Sequence, residues 1–172
     1  MEDISNFNNV SDYLPILNSV IITDIFVIIL LIKNLIKSTV LENWYRKLTL
    51  SAVIADVLIG IILTRFFYPY IFSKYNLINF LIFAVVIKVI QDILFYLLSQ
   101  SVTRGKSQIL DIFKDYGEEK GFGAIIADSL MVISSILMAS YLKGKTLNSN
   151  IIILIFSIYL IRYLVKKTEI NG

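Results

Sequence analysis

Four aspartates and one lysine are the residues of this chain with chemistry to do, because each stands inside a long apolar run. They read Ile22-Thr23-Asp24-Ile25-Phe26, Ile54-Ala55-Asp56-Val57-Leu58, Ile90-Gln91-Asp92-Ile93-Leu94 and Ile126-Ala127-Asp128-Ser129-Leu130, with Lys88 one helical turn before Asp92. An aspartate at mid-bilayer costs roughly 2.5–3.5 kcal/mol even on the lenient insertion scale. Four of them are therefore expected to face one another inside the bundle and not the lipid. Lys88 and Asp92 share a helix face at i,i+4 and should neutralise each other locally. Two chemistries suit such a set. One is hydrogen-bond glue between helices, worth about 0.6 kcal/mol per contact on average. The other is a proton or cation path, because ionisable side chains at this depth often line one. The expected intramembrane polar cluster is Asp24, Asp56, Lys88, Asp92 and Asp128, with Thr23, Gln91 and Ser129 adding hydrogen-bonding groups at the same level.

Much other chemistry is excluded by what the chain lacks. It has no histidine and no cysteine, so serine–histidine triads, zincin motifs, imidazole haem ligation, disulfides and cysteine nucleophiles are all ruled out. Intramembrane aspartyl proteases need two aspartates in specific motifs. Gly121-Phe122-Gly123 is separated from Asp128 by four residues and does not supply one. No catalytic, cofactor-binding or metal-ligating residue is expected, nor any cofactor, and a membrane-embedded enzyme is the least favoured class. The net charge of +3 is carried between apolar runs, so no nucleic-acid partner is expected either.

The elements that must position these residues follow from composition. Of 172 residues, 57% are hydrophobic and 17% charged, against roughly 45–50% and 25% in soluble domains. The excess is concentrated in five segments, 14–36, 48–68, 77–99, 122–143 and 149–166, each near the 20 or so apolar residues that a hydrocarbon core of roughly 30 Å requires. The expected fold is all-α, a polytopic transmembrane helix bundle of about five spans forming a single integral-membrane domain over 1–172, preceded by a short polar N-terminal tail, 1–13. Counted from the span ends nearest the N-terminal side, Asp24 lies 10 residues deep, Asp56 12, and Asp92 and Asp128 15. At about 1.5 Å per residue these fall in one layer, roughly 15–22 Å from that boundary.

Two further features shape the expected bundle. In the long connection, Ile109, Leu110, Ile112, Phe113 and Tyr116 recur at helical spacing beside Asp111, Lys114, Asp115, Glu118 and Glu119. That pattern predicts an interfacial amphipathic helix near 106–120, whose balanced charges favour docking on the bundle or a partner over a lipid switch. The pairs Gly123/Ala127 and Ser135/Ala139 give 122–143 small residues for close approach, which predicts a central fourth span. The bulky, branched 149–166 is predicted to be peripheral and lipid-facing.

Orientation follows from the basic residues. Arg65, Lys74, Lys143 and Lys145 lie on the N-terminal side, eleven others on the opposite side, and Lys88 within the membrane. The positive-inside rule then places the N-terminus outside or in the lumen and the C-terminus in the cytosol. Asn9-Val10-Ser11 is a glycosylation sequon, but it sits too near the bilayer for easy modification and is read as unmodified. Aromatic residues at 66–75, at Trp44-Tyr45 and at Tyr159 and Tyr163 read as interfacial belts.

The run Asp111-Ile-Phe-Lys-Asp-Tyr-Gly-Glu-Glu through Ala127-Asp128-Ser129-Leu130-Met131, with Gln91-Asp92-Ile93-Leu94-Phe95-Tyr96 and Arg65-Phe-Phe-Tyr-Pro-Tyr before it, resembles uncharacterised multi-pass membrane proteins of nucleocytoplasmic large DNA viruses. The likeness covers about residues 50–165. It implies a setting, a virion inner membrane or a host membrane, and no mechanism. With no catalytic machinery visible, the leading expectation is a structural or assembly role in a viral membrane. Its partners would be the lipid bilayer and a second copy of the chain or other membrane or virion proteins. The alternative is a small proton or cation channel or carrier using the aspartate cluster with Lys88.

Overall fold

The computed structural model of the chain describes residues 1–48 and 50–170. Among the described residues all regular secondary structure is helical: a 3-10 turn at Val10–Asp12, then α1 (Tyr13–Ile32), α2 (Thr39–Lys47), α3 (Leu50–Ile71), α4 (Leu77–Ser101), α5 (Gln108–Lys120), α6 (Phe122–Lys143) and α7 (Leu147–Ile170). Five of these, α1, α3, α4, α6 and α7, are long and apolar enough to cross a membrane, and the chain is built as an integral membrane protein. Successive spans alternate in direction. One end of the bundle, the N-terminal face, therefore carries residues 1–12 and the α3–α4 and α6–α7 turns. The other end carries α2 and α5.

The centre of the bundle is α1. Two-thirds of its span, 67%, is buried, against 39% or less for the other four, and it packs against α3, α6 and α7. A helix that is apolar on all sides belongs inside, and Ile16, Val20, Ile21 and Ile28 are all but completely buried. Some of its polar groups bond to neighbouring helices. Asn18 donates to the Asn150 carbonyl at 2.8 Å on α7, and Ser135 on α6 donates to Thr23 at 2.9 Å. The fourth span, α6, was expected at the centre and instead flanks α1. Its Ser135, Ile136, Ala139 and Ser140 are buried, whereas a Cβ added at Gly123 would meet nothing within 4 Å. Small residues permit close approach but do not by themselves supply a partner. The expected peripheral position of α7 agrees with the outward exposure of Ile152, Ile155 and Phe156.

Helix ends differ from expectation for local reasons. The first span stops at Ile32 and not at 36, because Asn34 enters the left-handed region at φ +55°. Leu35 N–H then reaches Leu30 O at 2.9 Å and Asn34 N–H reaches Leu31 O at 2.8 Å, the paired bonds of a Schellman ending. Residues 39–47 form a helix, α2, which carries the Trp44-Tyr45 pair expected as an inner aromatic belt. Ser38 caps it by accepting from Leu41 N–H at 3.1 Å, and Tyr45 turns inward, 5% exposed. The second span, expected from 48, begins at Leu50 and runs on through Pro69 to Ile71, while Thr49 lies outside the described residues. The third extends to Ser101, and the fifth covers Leu147–Ile170 where 149–166 was expected.

The amphipathic helix expected near 106–120 is α5. Ser107 caps its start, Phe113 packs on Phe95 and Trp44, and Arg104 ties the preceding loop to Asp115 at 2.6 Å and Glu118 at 2.9 Å. At the other end of the molecule the polar tail is laid across the N-terminal face. Ile4 is fully buried, Glu2 N–H donates to Ser140 O at 3.3 Å, and Ser140 Oγ donates back to Glu2 O at 2.5 Å. Within the sequon, Asn9 Nδ2 donates to Asp12 at 3.0 Å.

Candidate functional site

Lys88 anchors the first half of the site. Its stem runs along α3 beside Gly60, where an added Cβ would come within 3.6 Å of Lys88 Cδ and 3.1 Å of Gln91 Oε1. The glycine is what lets α3 and α4 close over a fully buried lysine. Lys88 Nζ donates to Asp92 at 2.6 Å on its own helix and to both oxygens of Asp56 at 2.9 Å on α3. Gln91 Nε2 adds bonds to the Asp56 carbonyl at 3.1 Å and its carboxylate at 3.2 Å. The expected Lys88–Asp92 pair is thus part of a triad. With all three groups ionised, one cation meets two carboxylates and the triad carries a net negative charge.

Asp24 and Asp128 make no hydrogen bond to that triad, although Asp128 interacts electrostatically with Lys88 and Asp24 with Asp56. Asp24, on α1, is 1% exposed. It accepts from the Tyr45 hydroxyl of α2 at 3.0 Å, and its other oxygen has no hydrogen-bond partner among the described residues. Burial and the neighbouring Asp24 push the Tyr45 phenol well above its ordinary range, so it stays a proton donor at neutral pH. Tyr116 on α5 is likewise pushed up by burial and by Asp128 and Asp56. Asp128, on α6, makes no hydrogen bond among the described residues.

Asp24, Asp56 and Asp128 all line one cavity of about 460 Å³, enclosed by α1, α2, α3, α5 and α6 toward the α2/α5 face. Asp92 is not on its wall and lies behind Lys88. Apart from these carboxylates the wall is largely apolar and aromatic, with Val27, Trp44, Phe113 and Met131 prominent, and Gly123 and Ala127 provide the room. Over the α2/α5 side, Glu119 accepts from Val40 N–H at 3.1 Å, while Lys120 bonds Glu119 at 3.0 Å and donates to Lys37 O at 2.9 Å. These contacts clamp the end of α5 to the start of α2. Against a desolvation cost, hydrogen bonds from Ser38, Lys120 and Val40 hold the exposed Glu119 carboxyl below the usual range. Among the described residues no three acidic side chains converge closely enough to hold a metal ion.

Removing the Tyr45 hydroxyl tests the Asp24 arrangement. Tyr45→Phe leaves both oxygens of the buried Asp24 without a donor, and unmaking such a bond costs about 1–3 kcal/mol. Thermal melting in detergent should fall accordingly, and an unchanged melting point would mean that the bond is not formed.

A second polar centre, which the sequence reading did not assemble, closes the N-terminal face. Arg65, fully buried in α3, donates to Asp12 at 3.1 Å, to Asn9 O at 3.3 Å and to Asn6 O, and its guanidinium lies 4.6 Å from the Tyr13 ring. Lys143 pairs with the other Asp12 oxygen at 2.8 Å. The signal was available: a basic residue one and a half turns inside a span must find an acceptor or reach the headgroups. No family model matches the chain, and neither a curated protein nor a solved structure matches it.

Proposed function

We propose that the protein is a small cation carrier of the bilayer, with the carboxylates of Asp24, Asp56 and Asp128 as its binding groups. The observation that carries this reading is the cavity, which places three carboxylates from three spans around one space in the largely apolar interior of the bundle. A purely structural role, the first expectation from sequence, would use those carboxylates in interhelical bonds. Asp56 is used in that way and Asp24 accepts one such bond from Tyr45, but Asp24 keeps its other oxygen unpaired and Asp128 makes no hydrogen bond among the described residues. A carrier is favoured over an open channel because the bundle is filled toward the N-terminal face, where Ile16, Ile61, Ile136 and Ala139 are fully buried. Transport then needs a second arrangement in which that end opens. In this reading the cavity faces the cytosol and the N-terminus lies outside, as the basic residues imply. The likeness to viral membrane proteins adds a virion or infected-cell membrane as the setting, and no catalytic step is involved.

The test is reconstitution into liposomes carrying a pH-sensitive dye and an imposed pH gradient. The intact protein should dissipate the gradient faster than empty liposomes. Asp24→Asn and Asp128→Asn should each slow it by roughly tenfold or more, since each removes a titratable carboxyl from the path. Dissipation no faster than in empty liposomes would return the protein to a structural role.

A further inference from the structure

We propose that the cavity is a receptor for an amphipathic organic cation, whose charged head sits between Asp24 and Asp128 and whose apolar body lies against Trp44, Phe113 and Met131. This deepens the carrier reading, on whose site it rests, by naming the class of ligand.

Size and coordination point away from an inorganic ion. A volume of about 460 Å³ falls within the roughly 300–1,000 Å³ of sites that hold organic small molecules. A bare metal ion would need ligands converging within a few ångströms, and among the described residues no such group exists. The apolar share of the wall would also be wasted on a strongly hydrated ion.

Charge fixes the sign of the ligand. Lys88, behind the Asp56 of the cavity wall, is already shared between Asp56 and Asp92. Lys120 reaches the lining, but its ammonium is engaged by Glu119 and by Lys37 O. What the cavity offers a ligand is therefore acceptors: the unpartnered, buried oxygen of Asp24 and the carboxylate of Asp128. An anion entering would face three aspartates with no cation at liberty to meet it. A cation would find both those oxygens and the faces of Trp44 and Phe113, to which organic cations are attracted by the ring quadrupole.

The route of entry suits an amphipath. Phe26 and Leu130, which edge the cavity on α1 and α6, are 60% and 58% exposed. Both helices are membrane spans, so part of the cavity's rim, at Phe26 and Leu130, faces the hydrocarbon. A ligand that partitions into the bilayer reaches such a rim directly. A strongly hydrated one does not.

Trp44 is the only tryptophan in the chain and lines the cavity, so its emission reports occupancy. The probes are tetraphenylphosphonium and tetraphenylborate, which share four phenyl rings and differ in the sign of charge. With the full chain in dodecyl maltoside, and uptake by empty micelles subtracted, the phosphonium should change Trp44 emission saturably and equilibrium dialysis should find it bound. The borate should do neither. Asp128→Asn, which breaks no hydrogen bond and so leaves the fold intact, should weaken phosphonium binding by roughly tenfold or more. Equal binding of the two probes, or phosphonium binding unaffected by Asp128→Asn, overturns the proposal. Proton flux in liposomes without phosphonium binding would remove this ligand class and keep the carrier. Binding without any flux would keep the ligand class and remove the carrier.

Discussion

Replacing Lys88 by methionine is expected to cost the bundle about 3–5 kcal/mol, the usual penalty for stranding buried charges by removing their partner. Methionine keeps the length and volume of the lysine stem beside Gly60, so packing changes little and the electrostatic part dominates. Two carboxylates lose their counter-ion together, because Lys88 Nζ bonds Asp92 at 2.6 Å and Asp56 at 2.9 Å. That geometry makes a prediction which a simple i,i+4 pair would not. Adding Asp92→Asn to Lys88→Met should restore only part of the stability, because Asp56 still faces no cation. Adding Asp56→Asn as well should restore most of it, since a fully neutralised set can be nearly as stable as the ion pairs it replaces. Asp92→Asn alone should be mild, with Lys88 still held by both oxygens of Asp56. Melting of the four variants in detergent measures the series. Full recovery in the double variant would exclude Asp56 from the triad, and no recovery in the triple variant would mean that the lysine stem, not its charge, supports the fold.

The sequence made the five spans legible because their signal is local: some 20 apolar residues in a row have few other destinations. Which helix meets which was not legible. Lys88 and Asp92 are neighbours on one helix face, so their contact could be read. Asp56 reaches the same ammonium from a separate helix, and no spacing encodes that. The cavity was hidden for a related reason. Gly123 and Ala127 have the spacing of a close helix contact, but such a pattern states only that something can approach. In the fold the space beside them is left as the cavity, and the center of the bundle goes to α1. The α2 helix escaped notice because its nine residues were read as one more aromatic boundary, although Ser38 followed by Leu41 and Glu42 was a visible start signal. Without α2, the donor to Asp24 was missing from the reading as well.

Neutralising Asp12 is expected to release the N-terminal segment and to cost about 3–5 kcal/mol as well, because it strands a buried guanidinium. Asp12 is a hub for two cations: one oxygen faces Arg65 at 3.1 Å and the other faces Lys143 at 2.8 Å. Asp12→Asn removes both attractions while leaving a side chain of the same shape, so lost packing cannot account for the result. The two cations fare differently. Lys143 is partly exposed and can turn toward water or headgroups, whereas Arg65 is fully buried and keeps only the carbonyls of Asn6 and Asn9 and the ring of Tyr13. Those carbonyls belong to the segment that Asp12 helps to hold down, so losing the ion pair loosens the remaining acceptors too. Arg65→Lys should cost less than Asp12→Asn, since one guanidinium nitrogen, Nη2, makes all three contacts and an ammonium carries three donors for the same acceptors. Arg65→Met combined with Asp12→Asn should recover much of the loss, as the stranded charge is then gone. Melting in detergent gives the energies, and hydrogen exchange over residues 1–12 gives the location, with protection lost in Asp12→Asn at temperatures where α1 remains protected. Unchanged protection of residues 1–12 together with an unchanged melting point would mean that Asp12 does not hold Arg65. The burial of Ile4 would then have to keep the N-terminal face closed on its own.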